Sequence, residues 1–220
     1  MNFTTQTKII GCILFIVFCG ISLQSQHLPK EYQIQYFDTI VELPSNAGFF
    51  SRRTHSFKSS LYNKQYYVII QFYELPNKIT MERLDKLGID LLKYIPNMAF
   101  IASFPKNKIR KKLKKIKIRS LYSIPPEIKI HHSLKSGVFS SSSGKDTIVD
   151  VNIHFYKGLD EEVLKNELRD FNVKKISILK TYNKFRVRIL QSRLPELAQL
   201  AWVEFIEPGK PPKVKKNVEK

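Results

Sequence analysis

Thiols are nearly absent from this chain of 220 residues, whose two cysteines, Cys12 and Cys19, both lie inside one apolar run from Ile9 to Leu23. Lys8 precedes that run, which is short for a bilayer span and suited to a signal-peptide core. Ser22, Gln24 and Ser25 place cleavage near Ser25 or Gln26, so residues 1–25 read as a signal peptide, with an uncleaved anchor helix as the alternative. Neither cysteine sits in a lipidation context: Cys12 lacks an apolar stretch before it, and Cys19 follows bulky Phe18. Cleavage would leave about 195 residues with no thiol. That excludes a Cys nucleophile, a Cys-ligated zinc site and a disulfide-stapled fold, and it predicts a soluble chain exported to an extracellular or periplasmic space, with no membrane association once the signal is gone.

Acidic residues are also scarce. Nineteen Asp and Glu face thirty-seven Lys and Arg, a formal net charge of +18, which predicts attraction to an anionic partner without saying which. An apolar fraction of 43% still provides for a packed core.

Along the chain, residues 26–64 are polar with scattered aromatics, and we read them as an irregular lead-in that wraps the first folded unit. Regular pattern begins in residues 65–126. Tyr66 to Phe72 reads as a buried strand, Thr80 to Leu87 as a short helix with Thr80 as N-cap and Gly88 as stop, and Ile89 to Ile95 and Met98 to Phe104 as a hairpin turned at Pro96-Asn97. Lys106 to Ile116 places Ile109, Leu113 and Ile116 on one helical face, and Ile118 to Ile124 closes the unit before Pro125-Pro126. Residues 127–147, with Ser140 to Gly144, read as a flexible linker. In residues 148–207 the same element order returns. Ile148 to Phe155, Val173 to Lys180, Phe185 to Leu190 and Val203 to Glu207 are strands, and Asp160 to Phe171 and Ser192 to Ala201 are helices. The repeated β-α-β-β-α-β order predicts an α+β fold of two tandem ferredoxin-like units, packed independently, followed by a basic, Pro-rich tail over residues 208–220.

The run from Tyr67 through Phe72, with Leu84, Gly88, Ile89, Leu91, Leu92, Tyr94-Ile95-Pro96-Asn97 and Ala99, resembles the fervidolysin-type prodomain of secreted subtilisin-like serine peptidases. The second unit and Phe205-Ile206-Glu207-Pro208 resemble the segment before the catalytic domain in such precursors. The resemblance implies a unit that packs its sheet against the peptidase, assists its folding and lays a C-terminal extension in the active cleft. In such a precursor the peptidase would begin after Lys220, so the chain is expected either to act on a subtilisin-like peptidase in trans, as chaperone or inhibitor, or to be a prodomain left by a truncated gene. No Asp-Thr-Gly, Asp-Ser-Gly, His-Gly-Thr or Gly-Thr-Ser occurs, so the chain is expected to be a binding module and not an enzyme.

Other chemistries find little support. His27 and His55 lie in the lead-in, His131-His132 in the linker and His154 on a strand; the adjacent pair in an extended segment should point apart, solvated, with no carboxylate at ligand spacing. No metal and no cofactor is therefore expected. Tyr73-Glu74-Leu75-Pro76-Asn77 is not the glycine-rich, Arg-bearing loop of an acylphosphatase, and Met98-Ala99-Phe100-Ile101 lacks the RNA-recognition signature, so no nucleic-acid partner is expected. Two binding regions remain. One is the tail, where Pro208, Pro211 and Pro212 donate no N–H and leave Lys213, Val214, Lys215, Lys216 and Asn217 as the segment for a peptidase cleft, or else as a disordered end. The other is the stretch from Lys106 to Arg119, whose Lys108, Arg110, Lys111, Lys112, Lys114 and Lys115 fan over an exposed face and offer a rival role in binding a surface or an anionic polymer. A monomer is expected in the free state.

Intact-mass analysis of the exported protein is expected to show a chain lacking Cys12 and Cys19; a mass that includes both would overturn signal cleavage.

Overall fold

The computed structural model describes residues 32–45, 54–106, 116–138 and 147–209. The expected signal segment, residues 107–115 of the expected basic helix, the serine run and the tail lie outside them. No helix among the described residues is long and apolar enough to cross a membrane.

The fold is α+β, built on three antiparallel sheets. Strands β1 (Gln33–Tyr36) and β2 (Thr39–Glu42) pair as a hairpin. After a 3-10 stretch (Thr54–Ser60) come β3 (Leu61–Tyr62), β4 (Gln65–Phe72), α1 (Lys78–Lys86), β5 (Asp90–Ile95), β6 (Ala99–Pro105) and β7 (Ile118–Tyr122). β4 is central in this sheet, with β6 and then β5 on one side and both β3 and β7 on the other. A 3-10 turn (Pro126–Lys129) and α2 (His132–Val138) lead to β8 (Ile148–Phe155), α3 (Glu161–Arg169), β9 (Lys175–Leu179), β10 (Lys184–Leu190), α4 (Leu194–Gln199) and β11 (Val203–Pro208). These last strands form one sheet in the order β11-β8-β10-β9.

Local chemistry explains the boundaries. Asn77, in extended conformation, caps α1 by accepting the Thr80 N–H at 2.9 Å, so the cap stands three residues before the expected Thr80. Its far end closes where Gly88, at φ +68°, donates to Asp85 O at 2.7 Å and Ile89 donates to Leu84 O at 3.0 Å. Asp160 caps α3 through the Glu162 and Val163 N–H groups, with Glu161 and Glu162 in the favourable first turn. The linker is ordered over its first part by the 3-10 turn and α2, which buries Leu134 against the second core.

Three cores arise from period-two alternation. Tyr66, Val68, Ile70 and Phe72 of β4 face Leu84, Leu87 and Ile89 on the helix side. In the second sheet, Val151, Ile153 and Phe155 with Phe185, Val187 and Ile189 face Leu164, Leu168, Leu194 and Trp202. Tyr67 and Ile69, on the opposite face of β4, join Ile95, Ala99 and Ile101 in a third core.

That third core corrects two expectations. Residues 32–45 are not irregular: Ile34, Tyr36, Val41 and Leu43 alternate inward on the hairpin and cover the second face of the first sheet, because that face is as apolar as the helix side. Nor do the units pack independently, since Tyr156 and Phe205 complete the same cluster from the second unit. Tyr67 stacks on Tyr156 at 4.5 Å, Phe37 on Phe205 at 3.9 Å, and the Tyr36 hydroxyl donates to Glu204 O at 2.7 Å. Glu167 adds a polar bridge, accepting from Tyr62 Oη at 2.8 Å and from Trp202 Nε1 at 2.6 Å.

Phe205→Ala is expected to cost about 3–5 kcal/mol and to lower the stability of both sheets in one cooperative transition. Urea unfolding followed by fluorescence of Trp202, the single tryptophan, and by circular dichroism checks this; two separated transitions, with only one displaced, would contradict a shared core.

Candidate functional site

The residues proposed from the sequence for binding, Lys213, Val214, Lys215, Lys216 and Asn217 in the tail and Lys108, Arg110, Lys111, Lys112, Lys114 and Lys115 in the basic segment, all lie outside the described residues. At the end of the basic segment the structure makes a correction. Arg119 is buried, not fanned over an exposed face: Nη1 donates to Leu43 O at 2.8 Å and to Gln71 Oε1 at 2.7 Å, and the guanidinium lies 4.1 Å from the Tyr32 ring centroid. The hairpin supplies the carbonyl and the ring, so the cation is satisfied inside. Lys117, by contrast, is exposed and pairs with Glu74 at 2.6 Å.

On the hairpin side the first sheet buries Tyr67, Ile69, Ile95 and Ile101 in the third core, and an open cleft lined by Gln65, Tyr67, Asp90, Ser103 and Leu159 remains beside it. In the second sheet, alternation turns Asp150, Asn152, His154, Lys184, Arg186 and Arg188 to the face opposite the helices. Their cross-strand register pairs Arg188 with Asp150, Arg186 with Asn152 and Lys184 with His154. Arg188 grips Asp150 through two hydrogen bonds of 2.8 Å, and Arg186 Nε donates to Asn152 Oδ1 at 3.1 Å. Glu207 of β11 accepts from Lys184 Nζ at 2.9 Å and from Asn152 Nδ2 at 3.2 Å. Burial opposes the Glu207 charge, but Lys184, His154 and Asn152 outweigh it and hold the carboxyl below its usual range. The result is a polar face whose cations are largely matched by neighbours.

His154 sits at the rim of this face, mostly buried. Its Nε2 stands 3.2 Å from Glu207 Oε1, close enough for charge attraction but outside hydrogen-bond geometry. Phe37 and Phe205 meet the ring edge-on. Burial pushes the imidazole down to about 4; Lys184 and Lys93 act in the same direction, and Glu207 opposes them without prevailing.

A second cluster lies at the hairpin tip. Phe37 occupies the left-handed region at φ +50°, a strain of about 1–2 kcal/mol that its stack on Phe205 offsets. The turn thereby aims Asp38 at the linker, where its Oδ2 accepts from the His132 N–H at 2.6 Å and lies 2.8 Å from His132 Nδ1 and 3.8 Å from His131 Nε2. Burial raises the Asp38 pKa, but the His132 hydrogen bonds and the neighbouring His131 bring it below the ordinary value. The two imidazoles do not diverge: their centroids are 4.3 Å apart. His131 is half-buried, because its N–H donates to Ile206 O at 2.9 Å and draws the segment onto β11. The expectation of a pair without a carboxylate is thus corrected, since Asp38 arrives from a position 94 residues away and no local spacing could announce it.

The sequence profile of a family described as "Domain of unknown function (DUF8729)" matches residues 28–125, which run from before the hairpin to just past β7. No curated protein and no solved structure matches the chain.

His154 generates a pH prediction. In the unfolded chain an imidazole titrates near its ordinary 6.5, whereas the folded protein holds His154 down to about 4. Between these values the unfolded state binds more protons, so stability falls as pH drops from 6.5 toward 4, by about 3 kcal/mol in all. His154→Gln is expected to flatten the decline across that window in urea titrations; an unchanged slope would show that His154 is not its source.

Proposed function

We propose that this chain is a prodomain-like chaperone and inhibitor of a secreted subtilisin-like serine peptidase, acting as a binding module and not as an enzyme. Each half is read as a ferredoxin-like unit: with the short β3 set aside, β4 to β7 and β8 to β11 each stand in the spatial order fourth, first, third, second. The observation that carries the reading is the asymmetry between the two sheets. The hairpin and the second unit cover the outer face of the first sheet, while among the described residues the outer face of the second keeps Arg188 and Ser177 exposed. Docking therefore passes to the second sheet.

That choice also aligns the face with the tail. β11 is the edge strand of the same sheet, and its pairing with β8 continues to Gly209, whose N–H donates to Asp150 O at 2.7 Å. A Cβ at Gly209 would stand 2.9 Å from that carbonyl oxygen, so glycine lets the chain leave along the sheet edge. The segment from Lys213 then offers backbone donors and acceptors to an extended-substrate cleft, while the sheet face supplies a second contact and raises its effective concentration. Internal pairing of Arg188 with Asp150 and of Lys184 with Glu207 favours a partner of mixed charge over a polyanion on this face.

The mature chain is expected to inhibit secreted subtilisin-like peptidases of its own organism in trans. Truncation after Gly209 should weaken inhibition without loss of fold, and Arg186→Glu on the sheet face should raise the inhibition constant about tenfold. Salt-sensitive binding to a polyanion, with no effect on peptidase activity or refolding, would transfer the role to the basic segment and overturn the peptidase reading.

A further inference from the structure

We propose that Asp38, His131 and His132 form a zinc-binding clasp that fastens the tip of the β1–β2 hairpin to the start of α2. Asp38 Oδ2, His131 Nε2 and His132 Nδ1 lie within 4.8 Å of one another. Ligands of a tetrahedral zinc ion, at bond lengths of about 2.0–2.1 Å, stand roughly 3.3 Å apart. The separations from Oδ2 to the two imidazoles, 2.8 Å and 3.8 Å, bracket that figure, so closure needs side-chain movements on the order of one ångström. Two imidazoles and one carboxylate are a borderline donor set, suited to zinc and poorly suited to calcium or magnesium, which take oxygen ligands.

The surroundings support coordination. Ser133 orients the His131 ring, with its backbone N–H donating to Nδ1 at 3.2 Å and its Oγ 2.9 Å from the same nitrogen; zinc at Nε2 requires the ring proton on Nδ1, where Ser133 Oγ is in reach to accept it. The His132 backbone N–H at 2.6 Å continues to orient the carboxylate. Binding replaces the proton that His132 Nδ1 shares with Asp38, and the exposed side of His132 leaves a fourth position for water.

The site spans two pieces of the fold. Asp38 belongs to the hairpin that roofs the first sheet; His131 is tied by its N–H to Ile206 of β11. A metal here cross-links the cover of the third core to the second unit, so zinc tightens the fold and chelation loosens it.

The test uses the mature chain without a histidine tag. Calorimetric titration with ZnCl2, thermal unfolding with ZnCl2 or MgCl2, and visible absorption with CoCl2 are expected to show saturable binding, a raised midpoint with zinc but not magnesium, and the strong bands of tetrahedral cobalt. His132→Ala, at a largely exposed position, should retain the fold and weaken binding by at least about tenfold; Asp38→Ala should do the same, and if it fails to fold, His132→Ala decides. The clasp is overturned if millimolar ZnCl2 gives neither heat nor a midpoint shift, or if His132→Ala binds as tightly as the parent chain.

Discussion

The strand β4 is apolar on both faces, and the other elements are arranged to satisfy that constraint. Tyr66, Val68, Ile70 and Phe72 are buried on the helix side, Tyr67 and Ile69 on the other. A sheet covered on one face only would leave Tyr67, Ile69, Ile95 and Ile101 in water, at a cost of about 1.5–3 kcal/mol for each large side chain. The hairpin at residues 33–42 and the edge of the second unit are the cover, and Tyr36, buried and bonded to Glu204 O, is where they meet.

Polar groups inside the cover make it specific. Arg119 is held by Gln71 of β4 and by Leu43 O and the Tyr32 ring, and the last two require the hairpin to lie in one place. Gln71 in turn donates to Tyr32 O and Asn97 O, and the Asn97 side chain donates to Gln33 O. Lys93 reaches across to Glu204 at 2.9 Å over the Phe37 ring. A slip of the hairpin by one residue would expose its apolar side and leave a buried guanidinium unsatisfied, so register is set twice over. The same cover has a functional consequence. It buries much of the first sheet's outer face, and the docking surface proposed above is therefore sought on the second sheet.

The outer face of the second sheet was legible in part: alternation in Phe185 to Leu190 and Ile148 to Phe155 separates the polar from the apolar side. What alternation could not supply was pairing. That Glu207 would reach Lys184 and approach His154 depends on β11 lying beside β8, and that Asp38 would reach His131 and His132 depends on the hairpin crossing to the other unit. The buried state of Arg119 was hidden for the same reason: a basic run looks solvated until an element distant in sequence brings carbonyls to it.

Element types and most of their order could be read from the amino acids alone, because they arise from local periodicity, caps and turn residues: Asp160 before a helix, Gly88 after one, Pro96-Asn97 between strands. The excess of positive charge and the absence of thiols beyond Cys19 were equally plain there. The hairpin in the lead-in was not, since four-residue strands carry too little alternation to stand out from polar surroundings. It took the folded arrangement to establish that the two halves share a core, which sheet face is covered, and which carboxylate meets the histidine pair. Those outcomes depend on contacts between residues far apart in the chain, where burial of apolar area, and not local propensity, selects the partner.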